Sequence, residues 1–235
     1  MQSLEEVLGQ VRSTVKKLLL AAAMLAILCV AHPAAAACAH VHTETQVTED
    51  ISPPKVDLSR TAAEIEALKF GAPLTADPKF TLIAGLTVAD ISLGQHIRTI
   101  VSGPEDGPFC VWPSVVAVQL LTAPNIYVDA SHGACRRDAA LAHELEHAAI
   151  DQRLIQRYAP IFERRIRQMA EAIGTAEVAS KGGVAAARER IEAKIVAVLS
   201  VTYEEMGQER LAAQRSHDSP EEYRRLSVAC PADAH

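Results

Sequence analysis

No two cysteines of this chain stand in a C-x-x-C spacing, which leaves a thiolate zinc knuckle without support. Basic residues are outnumbered, 23 against 29 acidic, and they gather into no patch, so the chain carries no nucleic-acid footprint. No internal repeat recurs, and low complexity is confined to the alanine-rich amino terminus. The longest apolar run, residues 18–30, falls short of the roughly 20 residues a transmembrane helix needs. Two features remain, an unusual amino terminus and one stretch of residues with chemistry in it.

Lys16-Lys17 precede that apolar run, and Ala34-Ala35-Ala36-Ala37 follow it. A basic flank, a short hydrophobic core and an A-x-A site describe a secretory signal peptide over residues 1–37, cut after Ala36 or Ala37. The 15 residues before Lys16 are long for such a flank, which places the expected start downstream of Met1. A lipoprotein acylated on Cys38 is the weaker reading, because Ala35 stands where a lipobox carries Leu. His40 and His42 read as residues of a solvated tail. Removing residues 1–37 leaves 20 basic and 27 acidic residues, a formal charge of −7. Four cysteines remain: Cys38, Cys110, Cys135 and Cys230. An even number in an exported chain suggests two disulfides with three connectivities open. The preferred one pairs Cys110 with Cys135 and Cys38 with Cys230, tying the two ends together.

About 198 mature residues fit one domain. Residues 38–57, with Thr43, Thr45, Thr48, Pro53 and Pro54, read as an extended lead-in. Thr61-Ala62-Ala63-Glu64 has the form of a capping box opening a short helix to about Phe70. Segments 80–86, 91–101, 110–122 and 125–129 are rich in Ile, Val, Leu and Thr, with turn residues between them, and read as strands. Within them Ile91, Leu93, Ile97 and Val101 share one face at period two, and residues 103–108 form a turn. From Asp138 the pattern is helical. The first helix reaches about Tyr158, Pro160 kinks or interrupts it, and the pattern resumes to about 173. Lys181-Gly182-Gly183 marks a break before a long helix over 184–214. Ser219-Pro220-Glu221-Glu222 then opens a last short helix. The expected class is α+β: an antiparallel sheet, then a helical half in which two long helices run antiparallel. The single domain spans 58–235, mostly strands to 135 and helical from 136.

The chemistry lies in His143-Glu144-Leu145-Glu146-His147, which reads H-E-x-x-H. On a helix, residues four apart lie one above the other, so both imidazoles point the same way, the bite that zinc takes from two protein ligands. Glu144 lies one residue round the helix, close enough to hold a water beside the ion without ligating it. Two histidines on a merely polar face would be the plain alternative. Ala139, Ala140, Leu141, Ala148 and Ile150 argue against it, because histidines in an apolar helix need partners.

A catalytic zinc needs a third protein ligand. The metzincin arrangement is excluded, since Ile150 and Arg153 stand where Gly and His are required. Arg167 occupies the place of a thermolysin-like Glu. By azimuth, Ile191, Ile195, Val198, Thr202, Glu205 and Glu209 form one stripe on the long helix, offering Glu205 or Glu209. By height, a hairpin turning near Lys181 sets residue 217 level with the midpoint of His143 and His147. Glu209 would then be about 12 Å off level. His217 is the preferred third ligand and Glu209 the runner-up. Asp151, four residues after His147, is placed to orient a ligand through a hydrogen bond.

At these residues the chain resembles the zincin metallopeptidases, and more narrowly small secreted bacterial H-E-x-x-H proteins described as zinc-dependent proteases. The narrower resemblance also uses the strand 125–129, Cys135, and the tail Asp218-Ser219-Pro220-Glu221-Glu222-Tyr223 through Cys230. It implies zinc held by His143 and His147, with Glu144 as general base. Glu146 departs from it, because the stricter zincin pattern has an uncharged residue there. The function expected is an exported zinc metalloprotease acting on a peptide or protein substrate. In it, zinc lowers the pKa of water and Glu144 takes the proton as peptide carbonyl is attacked. The strand 125–129 would hold substrate by edge pairing, and Tyr158, Tyr203, Tyr223 and His132 are the candidates to stabilise the oxyanion. The rival reading is a non-enzymatic envelope protein, a zinc-binding module or a helical interaction domain working through the long helix from Val184.

Overall fold

In the computed structural model, which describes residues 38, 41–68, 84–106 and 108–230, the strand-rich first half forms two sheets. The larger contains β1 (Glu44–Ile51), β4 (Ile91–Ser102), β5 (Phe109–Thr122) and β7 (Ala176–Val178). Central β5 has β1 parallel to it and β4 and β7 antiparallel. The smaller contains β2 (Lys55–Asp57), β3 (Gly85–Val88) and β6 (Asn125–Val128), with β6 parallel to β2 and antiparallel to β3. The chain is α+β, as expected, but the sheets are mixed rather than antiparallel throughout. The lead-in is the cause. Its two strands lie beside strands some 70 residues later in the chain and point the same way. Period-two patterning reports which face a strand buries, not which way its neighbour runs. The expected signal peptide and residues 80–83 of the expected first strand lie outside the described residues.

Alternation builds β5: Val116, Val118 and Leu120 are buried at period two while Gln119 faces solvent. Pro113 lacks an N–H and stands where the ladder slips, since Thr99 pairs with Pro113 but Arg98 with Val115. Ser114 is the extra residue of this bulge, and its Oγ donates to the Arg98 carbonyl at 3.0 Å. On β4, Ile91 is buried, and Leu93, Ile97 and Val101 pack against the core, the face read from their spacing.

Helix α1 (Ala62–Ala67) opens on the expected capping box, with Thr61 Oγ1 accepting from Glu64 N–H and the Glu64 carboxylate accepting from Thr61 N–H. Helix α2 (Ala134–Ile173) is bent but uninterrupted, with Pro160 inside it. A proline in a helix interior costs about 3 kcal/mol. Phe162 and Ile166 are fully buried just beyond it, and each contributes about 1.5–3 kcal/mol by leaving water. Packing wins. After a short 3₁₀ turn (Lys181–Gly183), α3 (Val184–His217) runs back along α2. Arg165 meets Glu205, Arg157 meets Glu209 and Asp151 meets Arg210, so numbers rise on one helix as they fall on the other. The buried stripe of α3 is Ala187, Ile191, Ile195, Leu199, Thr202 and Met206. Leu199 and Met206, rather than Val198 and Glu205, carry it forward.

Helix α4 (Pro220–Val228) begins at Ser219, whose side chain accepts from Glu222 N–H, with Pro220 in the first turn. It delivers Cys230 to Cys135 at the start of α2, where the two form a disulfide with Cα atoms 5.8 Å apart. Cys38 and Cys110 are also disulfide-bonded. The expected pairs Cys110–Cys135 and Cys38–Cys230 are therefore wrong. Cys135 and Cys230 are 95 residues apart, and closing so long a loop is worth about 2–4 kcal/mol through the unfolded state. Two disulfides suit an oxidising, extracellular environment. Among the described residues, no helix is long and apolar enough to cross a membrane.

Candidate metal centre

Helical spacing brings His143 and His147 to one face of α2, with their Nε2 atoms 3.2 Å apart and their rings nearly perpendicular. Two nitrogens sharing a tetrahedral ion at 2.0–2.1 Å stand about 3.3–3.4 Å apart, so this pair has the separation zinc requires. Helix α3 ends at the same level. His217 lies in its last turn, and ligand atoms of His143, His147 and His217 all fall within 4.8 Å of one another. Its ring stacks on that of His143, centroids 4.2 Å apart and planes 19° apart, and its Nε2 lies 3.1 Å from the His143 carbonyl oxygen. Glu209 and Glu205 are engaged elsewhere, with Arg157 and Arg165.

Asp218, which no sequence pattern singles out, also belongs to the site. Its Oδ1 lies 3.2 Å from His143 Nε2 and 3.0 Å from His147 Nε2, and it accepts a hydrogen bond from the Tyr223 hydroxyl at 3.2 Å. It lies one residue beyond the position on α3 that is level with His143 and His147. Asp218 caps α3 with φ −77° and ψ 32°, outside helical geometry, so azimuth along α3 does not say where its side chain goes. Gln214 belongs to it too, again without a sequence pattern to mark it. Its side-chain oxygen faces His147 Nδ1, and its amide N–H donates to the His147 carbonyl at 3.2 Å and to Asp151 Oδ1 at 2.9 Å. Asp151 thus reaches His147 through Gln214 rather than directly. The Nδ1 of His143 has no hydrogen-bond partner among the described residues, and the nearest acidic oxygen, Glu222 Oε1, is 3.7 Å away.

Glu144 is buried beside this group, 7 % exposed. The Thr87 hydroxyl lies 2.8 Å from its Oε2 and 2.9 Å from its backbone carbonyl, and one proton serves one of these oxygens at a time. Gly85, also on β3, leaves room for the carboxylate: a Cβ there would come within 2.7 Å of Glu144 Cγ and 2.9 Å of its Oε1. Glu146 turns outward to Arg153, and its charge stays clear of the site. Of the four oxyanion candidates only Tyr223 borders the histidines, its ring centroid 5.8 Å from that of His143. Tyr203 donates to the Ile91 carbonyl, Tyr158 faces Glu209, and His132 lies 3.6 Å from Asp129. The strand 125–129 cannot pair with substrate at an edge, because β6 lies between β2 and β3.

Electrostatics follow this geometry. Burial alone would lower the His147 pKa, but hydrogen bonds to Asp218 and Gln214 outweigh it and raise it to about 9. Burial works against the Asp218 carboxylate, yet both histidines hold its pKa well below the usual range. Burial raises the pKa of Glu144, with the Thr87 hydrogen bond and the histidine charges opposing, and burial lowers that of His217. Comparison with protein-family models, with curated proteins and with solved structures finds no match to this chain.

Proposed function

We propose that this chain is an exported zinc-dependent metallopeptidase in which His143 and His147 hold the ion with a ligand from the end of α3, and Glu144 is the general base. The observation that carries the reading is the 3.2 Å approach of the two H-E-x-x-H nitrogens next to the buried carboxylate of Glu144, one residue round the helix. When bound, zinc would supply Lewis acidity, lowering the pKa of water and polarising a carbonyl. The chain's own groups do the rest. Glu144 accepts a proton at its carboxylate, Thr87 holds that carboxylate in place, and Tyr223 presents a hydroxyl at the rim. Among the described residues β3 pairs only with β6, and its other edge is where an extended peptide backbone would lie next to Glu144.

Metal analysis combined with proteolysis tests this. Wild-type protein should carry one zinc per chain and cleave an unfolded protein in a chelator-sensitive manner. The His143→Ala, His147→Ala double variant should carry none. Wild-type protein that stays metal-free through a zinc titration would overturn the proposal. Zinc held without any cleavage would favour an envelope zinc-binding module instead.

Gly85 supplies a separate check on the base. Gly85→Ala should keep the strand pairing and the zinc, because the nearest atoms it meets all belong to the Glu144 side chain from Cγ outward. Displaced from Thr87, Glu144 should work less well, so the variant should lose at least about tenfold in kcat/KM, about 1.4 kcal/mol of transition-state stabilisation. Unchanged kcat/KM would show that the position of Glu144 against β3 is irrelevant to catalysis.

A further inference from the structure

We infer that the third protein ligand is Asp218, and that His217 is a positioning residue for His143. This rests on the metal-centre reading above and concerns which residues complete it. His143 Nε2, His147 Nε2 and Asp218 Oδ1 form a triangle with sides of 3.2, 3.2 and 3.0 Å. Three ligand atoms at zinc-bond length from one tetrahedral ion stand about 3.3–3.5 Å apart. The triangle is therefore one face of a zinc coordination shell, contracted by a few tenths of an ångström.

His217 does not fit that shell. The lone pair of an imidazole lies in the ring plane, so an ion must lie close to the plane of every histidine that binds it. The rings of His143 and His217 are stacked, 4.2 Å apart and only 19° from parallel. An ion in the plane of one lies off the face of the other. The Nε2 of His217 is also engaged, 3.1 Å from the His143 carbonyl. His217 would have to leave both contacts to become a ligand, whereas Asp218 Oδ1 is within a few tenths of an ångström of ligand spacing already. The rings of His143 and His147, at 87° to each other, have no such conflict.

The surroundings of the triangle agree. Gln214 offers its oxygen to Nδ1 of His147, and Glu222 lies on the Nδ1 side of His143 at 3.7 Å. The Gln214 acceptor keeps the proton of His147 on Nδ1 and leaves its Nε2 lone pair for the ion, while Nδ1 of His143 has no hydrogen-bond partner among the described residues. The Tyr223 hydroxyl holds the Asp218 oxygen. Ser219 and Pro220 start α4 directly after Asp218, so the carboxylate is held at a rigid helix–helix corner. Its side chain is 40 % exposed, so the third side of the centre faces solvent, as a catalytic rather than a closed structural site requires. Two neutral imidazoles and one carboxylate make a centre of net charge +1, the chemical class of the His₂-carboxylate zinc peptidases rather than of the His₃ hydratases.

Zinc competition against a chromophoric chelator, run on wild type, Asp218→Asn and His217→Ala, tests the assignment. Asp218→Asn keeps the size of the side chain and an acceptor for Tyr223, and should weaken zinc by at least about 100-fold. His217→Ala should weaken it by about tenfold, the low end for an outer contact, because His217 touches the ring face and the backbone carbonyl of His143 and not its ring nitrogens. X-ray absorption of the zinc-loaded wild-type protein should count two imidazoles, and the count should not change in His217→Ala. Three imidazoles in wild type, or zinc lost from His217→Ala and retained by Asp218→Asn, would overturn the assignment while leaving the metal centre standing. A wild-type protein that binds no zinc would overturn both.

Discussion

Glu144→Gln is expected to keep the zinc and the fold while lowering peptide hydrolysis by about 10²–10⁴-fold or more, the usual consequence of losing a general base. Glutamine has nearly the same shape, and its amide oxygen can still accept the Thr87 hydrogen bond that the carboxylate accepts at 2.8 Å. The three converging ligand atoms belong to other residues, so metal affinity should change little. What disappears is a carboxylate that takes a proton. Burial raises the pKa of that carboxylate, which brings the base nearer to working pH and makes it more effective. Zinc content, thermal midpoint and cleavage of an unfolded protein, measured on both proteins, separate these effects. Wild-type cleavage by Glu144→Gln would remove Glu144 from the mechanism. Loss of zinc with loss of activity would instead make Glu144 part of the metal-holding structure.

The helical half was the more legible part of the chain, for a physical reason. Helix spacing ties residues that are close in sequence, so H-E-x-x-H, the break at Lys181–Gly183 and the cap at Ser219 could each be read from a few neighbours. His217 is legible because a hairpin of two rigid helices is nearly one-dimensional, at 1.5 Å per residue. Asp218, one residue on, is not legible in this way, because α3 ends there and that regularity with it. Sheet neighbours are set by long-range pairing. Nothing local in residues 44–51 says that they will lie parallel to 115–122. Disulfide connectivity failed likewise: Cys135 and Cys230 meet only because α4 folds back on the start of α2. At Pro160 the pattern left a kink and an interruption both open, and the helix is bent and continuous, because the core around Phe162 holds its two parts together.

Asp151→Ala should cost about 3 kcal/mol of stability, the low end of what breaking a buried ion pair costs. Asp151 is fully buried on α2, and Arg210 of α3 grips it with Nε at 2.7 Å and Nη2 at 2.8 Å. Arg210 also donates to the Ala89 carbonyl at 2.9 Å, so one guanidinium joins both helices to the segment between β3 and β4. Arg210 is 28 % exposed and can recover some hydration when its partner is removed, which favours the low end of the range. Arg210→Met should cost more, because it leaves a carboxylate with no exposure and only Gln214 to satisfy it. The double variant should cost less than the two single changes added together, since each single change strands a charge that the double removes. Asp151→Ala should also reach the metal, because Gln214 loses the anchor that aims it at His147. Loss of such an outer contact weakens metal binding by about 10–100-fold. Urea unfolding of the four proteins, with zinc affinity measured on each, resolves both effects. An Asp151→Ala protein within about 0.5 kcal/mol of wild type would show that the pair does not hold the hairpin together. Unchanged zinc affinity would show that Gln214 aims His147 without help from Asp151.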